Sequence, residues 1–245
     1  MQKFEKEFQI RSYECDKNGF LRIVTLMNIL QDAADLSATL LGFGFDFCIQ
    51  SGLAWVGTNY HIKIKRLPTV HEKIKVQTWP SGENKFMALR DFVVFDASGD
   101  EIIKATSQWV LVDIHKKRPV SLNQYLPDYM YIDERVLGTN FDKLASVDEE
   151  TCQKQFEARF DDIDLNCHVN NAIYPLWAAE SLPLEFYTDR LPQEIEISYK
   201  KECLYEQKVL VHSNIEGDVT RHSIVCIDEP KGLADVRILW QKKSA

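Results

Sequence analysis

The stretch that decides the fold is Phe160-Asp161-Asp162-Ile163-Asp164-Leu165-Asn166-Cys167-His168-Val169-Asn170-Asn171-Ala172-Ile173-Tyr174. It crowds carboxylates, amides and one imidazole together, then turns at once into an apolar run. Asp164, Asn166 and His168 stand two apart. In an extended segment alternate side chains point the same way, so the spacing predicts that all three share a face. Asn170 or Asn171 can then cap a helix that holds Pro175 in its first turn. Ile173, Leu176, Trp177 and Ala179 or Glu180 continue at helical spacing. A polar loop feeding a buried helix start gathers backbone N–H groups suited to an oxyanion. The plainer alternative is a helix-capping loop with a solvated histidine.

A second copy of this pattern lies earlier in the chain. Cys15-Asp16-Lys17-Asn18 aligns with Ile163-Asp164-Leu165-Asn166 at an offset of 148 residues. Lys65-Arg66-Leu67-Pro68 aligns with Lys200-Lys201-Glu202-Cys203 at an offset of 135, which leaves a 13-residue surplus in the first copy. That surplus falls in the Gly- and Phe-rich segment 42–54, read as a loop. Around these anchors each copy reads as a strand, a helix and four strands. In the first, Phe4 to Arg11 alternates as a strand. Thr25 is placed as the N-cap of a helix whose apolar positions 26, 29, 30, 33, 34 and 37 form one stripe. Strands follow at Trp55–Lys65, Lys73–Trp79, Phe86–Phe95 and Glu101–Asp113, with Pro80 to Asn84 as a turn. In the second, strands are expected at Cys152–Arg159, Glu194–Lys201, Lys208–Ser213, Thr220–Ile227 and Ala234–Gln241. Positions 116–150, including Pro127 and Asp128, read as an ordered crossover or linker.

A helix apolar on nearly every side needs a sheet wrapped around it. Two such copies define an α+β tandem (double) hot-dog, each half a helix wrapped by a curved antiparallel sheet. The two copies can pair their sheet edges, so that the tandem chain mimics a dimer. The division is placed at residues 1–130 and 131–245.

Composition narrows the function. Of 245 residues, 45% are hydrophobic and 27% charged, a globular balance. The net charge of -8 disfavours nucleic acid. No apolar run approaches a membrane span. The N-terminus lacks the apolar core of a signal peptide, which predicts a cytoplasmic protein. The six cysteines are scattered without a CxxC pair, against both a zinc knuckle and a disulfide framework. No metal or cofactor is called for.

The copies diverge where chemistry would reside. Phe20 stands in place of His168, and Leu67 in place of Glu202. The first copy is stripped of polar groups and the second is armed. The expectation is that the first binds something apolar and the second reacts.

At these residues the chain resembles the acyl-acyl-carrier-protein thioesterases, the family of the plant plastid enzymes and their bacterial relatives. Asp164-Leu165-Asn166-Cys167-His168-Val169-Asn170-Asn171 is similar to the family's Asp-x-Asn-x-His-Val-Asn-Asn signature. Ala179-Glu180-Ser181-Leu182-Pro183 resembles its Glu-Ser-x-Pro helix end. Tyr199-Lys200-Lys201-Glu202-Cys203 resembles its Tyr-Arg-Arg-Glu-Cys element, with lysines for arginines. The resemblance implies hydrolysis of fatty acyl-carrier-protein thioesters, with Asp164, Asn166, His168 and Glu202 catalytic. The plastid-targeting segment of plant members is missing, which implies a bacterial cytoplasmic protein.

On that basis Glu202 is the general base or nucleophile. Asn166 and His168 position the thioester and water, and Asp164 orients one of them. Cys203 offers a rival acyl-enzyme path with His168 and Asn166. Its neighbour Glu202 is an anion, which opposes thiolate formation. The acyl chain is placed against Met27, Leu30, Ala34, Trp55 and Phe86. An acidic acyl carrier protein is placed against Lys63, Lys65, Lys200 and Lys201. An acyl-CoA thioesterase and a non-catalytic acyl-binding or regulatory module are the alternatives, and a homodimer is left open.

Overall fold

The computed structural model describes residues 2–84, 86–126, 129–229 and 231–243. Pro127 and Asp128 of the crossover lie outside the described residues. Contacts divide the chain into two compact units, Met1–Asn140 and Phe141–Ala245.

The first unit runs β1 (Phe4–Gln9), α1 (Ile23–Leu40), α2 (Phe45–Ser51), β2 (Leu53–Ile64), β3 (Lys73–Glu83), β4 (Met87–Asp96), β5 (Glu101–Asp113), β6 (Arg118–Pro119) and α3 (Leu122–Tyr125). Its strands lie in the order β1-β3-β4-β5-β2, with β6 added beside β5. The second unit runs β7 (Cys152–Glu157), α4 (Ile173–Glu180), α5 (Leu184–Thr188), β8 (Arg190–Tyr199), β9 (Lys208–Glu216), β10 (Val219–Cys226) and β11 (Lys231–Lys242). Its order, β7-β9-β10-β11-β8, is the same path through equivalent strands. Every pairing along both paths is antiparallel. Each unit is a hot-dog, a central helix packed on an antiparallel sheet.

The apolar stripe of α1 explains its place. Leu26, Ile29, Leu30, Ala33, Ala34 and Ser37 are all buried. Tyr60, Ile62 and Ile64 of β2 are buried too. Burying one such side chain is worth about 1.5–3 kcal/mol, so the stripe fixes which face of the helix meets the sheet. In α4 six of eight residues are buried, Glu180 being the exposed one at its end.

Several local expectations are corrected. Helix α1 starts one turn early, with Arg22 as its N-cap. The Thr25 hydroxyl bonds the Glu14 carbonyl instead, at 3.3 Å. The surplus segment is not all loop. Gly44 starts α2, because a Cβ there would lie 2.7 Å from the Thr39 backbone, and Gly52 ends it at φ +65°. Strand β3 runs through Pro80 to Glu83 instead of turning, carried past a register shift between Pro80 and Gly82. Pro183 is followed by a short helix, α5.

The end of α4 is tied to the sheet by a buried polar chain. Ser181 donates its hydroxyl to the Ala178 carbonyl at 2.7 Å and lies 2.6 Å from the Ser213 hydroxyl. Ser213 Oγ is 2.7 Å from His222 Nδ1, and His222 Nε2 is 2.8 Å from Thr220 Oγ1. The Trp240 indole donates to that same Thr220 oxygen at 2.9 Å. With the Ser181 proton spent on Ala178, Ser213 donates to Ser181 and accepts from His222 Nδ1–H. Nε2 is then the acceptor of a neutral imidazole. Burial pushes the His222 pKa down to about 3.

Candidate active site

The two copies share most of their hydrogen bonds at the candidate loop, though Asp16 Oδ1 also accepts the Phe20 N–H at 3.0 Å. Asp164 N–H donates to the His168 carbonyl at 2.8 Å, as Asp16 N–H donates to Phe20. Asp164 Oδ1 accepts the Asn166 N–H at 2.8 Å, as Asp16 Oδ1 accepts that of Asn18. Cys167 N–H donates to the Asp164 carbonyl and Gly19 N–H to that of Asp16, each at 3.0 Å. Bridges Ile163–Val169 and Cys15–Leu21 close the two loops.

The loop is therefore a tight turn, which corrects the extended reading. The Asp164 carboxylate caps its own turn, and Cys167 takes φ +62° where the first copy has Gly19 at φ +82°. Strict alternation of Asp164, Asn166 and His168 is broken by that turn. Asn166 is exposed and His168 half-buried. The Asn166 side-chain amide lies 3.5 Å from Asp164 Oδ2, so Asp164 holds Asn166 by its backbone and flanks its amide.

Helix α4 begins at Ile173 with Ala172 as N-cap. Neither asparagine is itself the cap, but Asn170 Oδ1 accepts the Ala172 N–H at 2.9 Å and so serves the helix start from two residues away. The Asn171 carbonyl accepts the Tyr199 hydroxyl at 2.9 Å.

The second arm of the site follows β8. Lys200 and Lys201 N–H both reach the Leu233 carbonyl, at 2.8 and 3.3 Å. Val169 N–H donates to the Cys203 carbonyl at 2.9 Å, which joins the loop to the segment bearing Glu202. Glu202 is exposed and Cys203 fully buried. Burial, then the nearby Cys226, pushes the Cys203 thiol up to about 12. At neutral pH that leaves roughly one thiolate in 10⁵.

Tyr174 was missed in the sequence as anything but a helix residue. It is buried, with rings of Trp177 and Tyr199 edge-on against it. Its pKa is raised, first by burial and then by the charges of Cys203, Glu202 and Asp164, and its hydroxyl meets the Cys203 backbone N–H. It thus stands within electrostatic reach of both arms. Its counterpart in the first copy is Leu26, and the counterpart of Cys203 is Pro68, which has no N–H to give. That paired difference was the available signal.

The expected acyl pocket is dispersed. Met27, Leu30 and Ala34 are buried along α1. Trp55 packs on a separate cluster around Phe43, Cys48 and Leu111, and its indole donates to the Phe43 carbonyl at 3.0 Å. Phe86 is 40% exposed just before β4. The interior of this unit also holds a buried guanidinium, Arg90, 3.3 Å from Thr78 Oγ1, whose pKa burial lowers to about 10.

Of the four lysines, Lys63 and Lys65 line a surface hollow of about 510 Å³ with Asp100, Glu101 and Lys104. Lys104 is paired there with Glu101 at 2.7 Å. Lys201 is exposed. Lys200 reaches the buried Asp235 carboxylate at 2.6 Å.

All six cysteines are free thiols. Among the described residues no helix is long and apolar enough to cross a membrane.

The fold and these two arms define a tandem hot-dog protein with one armed and one unarmed copy. Comparison with known proteins gives the family. Residues 1–129 match the acyl-ACP thioesterase N-terminal domain and residues 145–242 its C-terminal domain. The chain belongs to the acyl-ACP thioesterase family. The chloroplastic palmitoyl-acyl carrier protein thioesterase of Gossypium hirsutum is 30% identical over 99% of this chain and 64% of its own length. A chloroplastic acyl-[acyl-carrier-protein] hydrolase of Cuphea viscosissima is 30% identical over 99% of this chain and 63% of its own. The chain thus spans less than two thirds of the length of these relatives. A solved structure from Lactobacillus plantarum, provisionally named oleoyl thioesterase, shares 29% identity and a TM-score of 0.87 over 100% of this chain and 98% of that one. The 12:0-ACP thioesterase of Umbellularia californica, 23% identical, has the same fold with a TM-score of 0.87 over 98% of both chains.

Proposed function

We propose that this chain hydrolyses the thioester of fatty acyl carrier protein, releasing a free fatty acid and the carrier's thiol. The observation that carries the reading is the asymmetry between two copies that share one strand order and the same turn. The second alone has His168 for Phe20, Glu202 for Leu67 and the Tyr174 hydroxyl for Leu26. A fold that needed packing alone would accept the apolar set in both places. Membership of the family supports the substrate class.

Glu202, exposed at the mouth of the second arm, takes a proton from water. The water oxygen attacks the thioester carbonyl carbon. The Asn166 amide and N–H groups near the start of α4 stabilise the oxyanion, a contribution of about 10²–10³-fold for one such donor. As the C–S bond breaks, His168 delivers a proton to the departing thiolate. General base catalysis adds about 10²–10⁴-fold. Direct attack by Glu202 on the carbonyl is the variant of this path that the same residues permit. The raised pKa of Cys203 weighs against the acyl-enzyme path.

The N-terminal part, residues 1–130, is assigned to the acyl chain, along Met27, Leu30 and Ala34 of α1. Residues 131–245 carry the chemistry. Each buried methylene contributes about 0.8 kcal/mol, so two carbons shift binding by about fifteen-fold. The acidic carrier is assigned to Lys63, Lys65 and Lys201, with Lys200 turned to Asp235.

The experiment is thiol release from palmitoyl carrier protein beside palmitoyl coenzyme A, with a His168→Ala enzyme in parallel. Release from the carrier thioester that is lost in the variant supports the reading. Equal turnover of both thioesters transfers it to an acyl-CoA thioesterase. Binding without release favours the acyl-binding module.

A further inference from the structure

Glu202 is placed by the main-chain bonds of its neighbours Lys200, Lys201 and Cys203. Among the described residues its side chain makes no hydrogen bond, and its charge reaches the nearby Tyr174 and Lys231. Whatever fixes the segment from Lys200 to Cys203 therefore sets the point from which the carboxylate reaches. The main-chain ties to Leu233 and Val169 have counterparts in the first copy, where Lys65 N–H donates to the Ile102 carbonyl and Leu21 N–H to that of Pro68. One side-chain tie does not.

Lys200 runs over Gly232, where an added Cβ would lie 3.3 Å from its Cδ, and ends 2.6 Å from Asp235 Oδ2. Asp235 is only 2% exposed. Its other oxygen accepts the Ser223 hydroxyl at 3.2 Å, and Ser223 Oγ accepts the Val147 N–H at 2.9 Å. The carboxylate is thereby anchored from β10 as well as β11. A buried carboxylate needs its cation, so the ammonium is held to one place.

The first copy supplies an internal control. Lys65 occupies the place of Lys200. Asp235 stands opposite Ser198 in the β8–β11 register, and Lys104 stands opposite Lys63 in the β2–β5 register. So the copy with Leu67 has a lysine, Lys104, where the copy with Glu202 has an aspartate. The ion pair is present in the armed copy and cannot form in the unarmed one.

We infer that Asp235, acting through Lys200, is a positioning residue that sets the Glu202 carboxylate for attack on the thioester. The inference rests on the assignment of Glu202 given above. It also moves Lys200 from the carrier surface to the support of the site. Misplacing a reacting group by about 1 Å can cost 10²-fold in rate. A surface lysine used for docking would change KM instead.

The test is a cycle of variants assayed with palmitoyl carrier protein. Replacing both partners, Lys200→Met with Asp235→Leu, removes the charge pair without stranding a buried charge, and such replacements are tolerated by folds. In the otherwise unchanged enzyme the double replacement should lower kcat at least tenfold with KM little altered. In a Glu202→Gln background it should cost nothing further, because a positioning role acts only through Glu202. The same fractional loss in both backgrounds, or a change confined to KM, overturns the inference and makes the pair structural or a docking contact. A Glu202→Gln enzyme with full activity would strike the assignment of Glu202 itself, and the positioning role with it.

Discussion

Val169 donates its backbone N–H to the carbonyl of Cys203 at 2.9 Å, and Leu21 makes the same bond to Pro68 at 2.9 Å in the first copy. This bond brings the loop of Asp164, Asn166 and His168 against the segment of Glu202. Being main chain to main chain, it survives any change of side chain. The main-chain scaffold is thus present twice, and the polar set of His168 and Glu202 once.

That division bears on the choice of nucleophile. Cys203 is buried and its thiol is pushed up to about 12. Its carbonyl and N–H are the parts that hold the site together. A Cys203→Ala enzyme should keep turnover within a few-fold of the parent. Complete loss of thiol release, with an unchanged circular dichroism spectrum, would restore the acyl-enzyme path.

The turn itself carries strain in one copy. Cys167 sits at φ +62°, a conformation that costs a residue with a Cβ about 1–2 kcal/mol and glycine almost nothing. Cys167→Gly, which copies Gly19, should stabilise the fold by about 1 kcal/mol, or a Tm rise of about 2–4 °C for a chain of this size. A thermal melt that drops instead would mean that the thiol makes contacts outweighing the strain.

The buried histidine predicts an acid limit to stability. His222 has a folded pKa of about 3 against an ordinary value of 6.5. The unfolded chain therefore binds this proton more readily. The contribution of neutral His222 is full above pH 6.5 and is lost as pH falls toward 3. From pH 7.5 to pH 5 the loss from this group is about 2 kcal/mol. Urea unfolding at those two pH values should show it, and His222→Gln should flatten the difference. An equal pH dependence in the variant would assign acid sensitivity to other groups.

The sequence made much of this architecture legible because its signals are periodic or local. The stripe of Leu26, Ile29, Leu30, Ala33 and Ala34 gave α1, and the 148- and 135-residue offsets fall on equivalent hydrogen bonds in the two copies. Features set by tertiary contact were hidden. The turn at Asp164 to Cys167 replaces an apparent alternation because the Asp164 carboxylate accepts the Asn166 N–H, a choice that a two-residue spacing does not encode. Strand β3 overrides Pro80 through its pairing with β4. Phe86, a plausible wall residue by type, stands exposed. Tyr174 and Asp235 looked like an ordinary helix aromatic and an ordinary strand charge. Their meaning appears when the Cys203 N–H and the Lys200 ammonium are found beside them, and when Leu26 and Lys104 are found in their places in the other copy.

The central claim is that the armed copy hydrolyses a carrier-protein thioester with Glu202 as its base. The most direct measurement is single-turnover release of thiol from palmitoyl carrier protein by the parent, Glu202→Gln and Asp164→Asn enzymes. The expected order is a loss of about 10²–10⁴-fold for Glu202→Gln and a smaller loss for Asp164→Asn, which keeps an oxygen acceptor for the turn. Equal, mild losses in both would contradict the account and remove Glu202 from the chemistry.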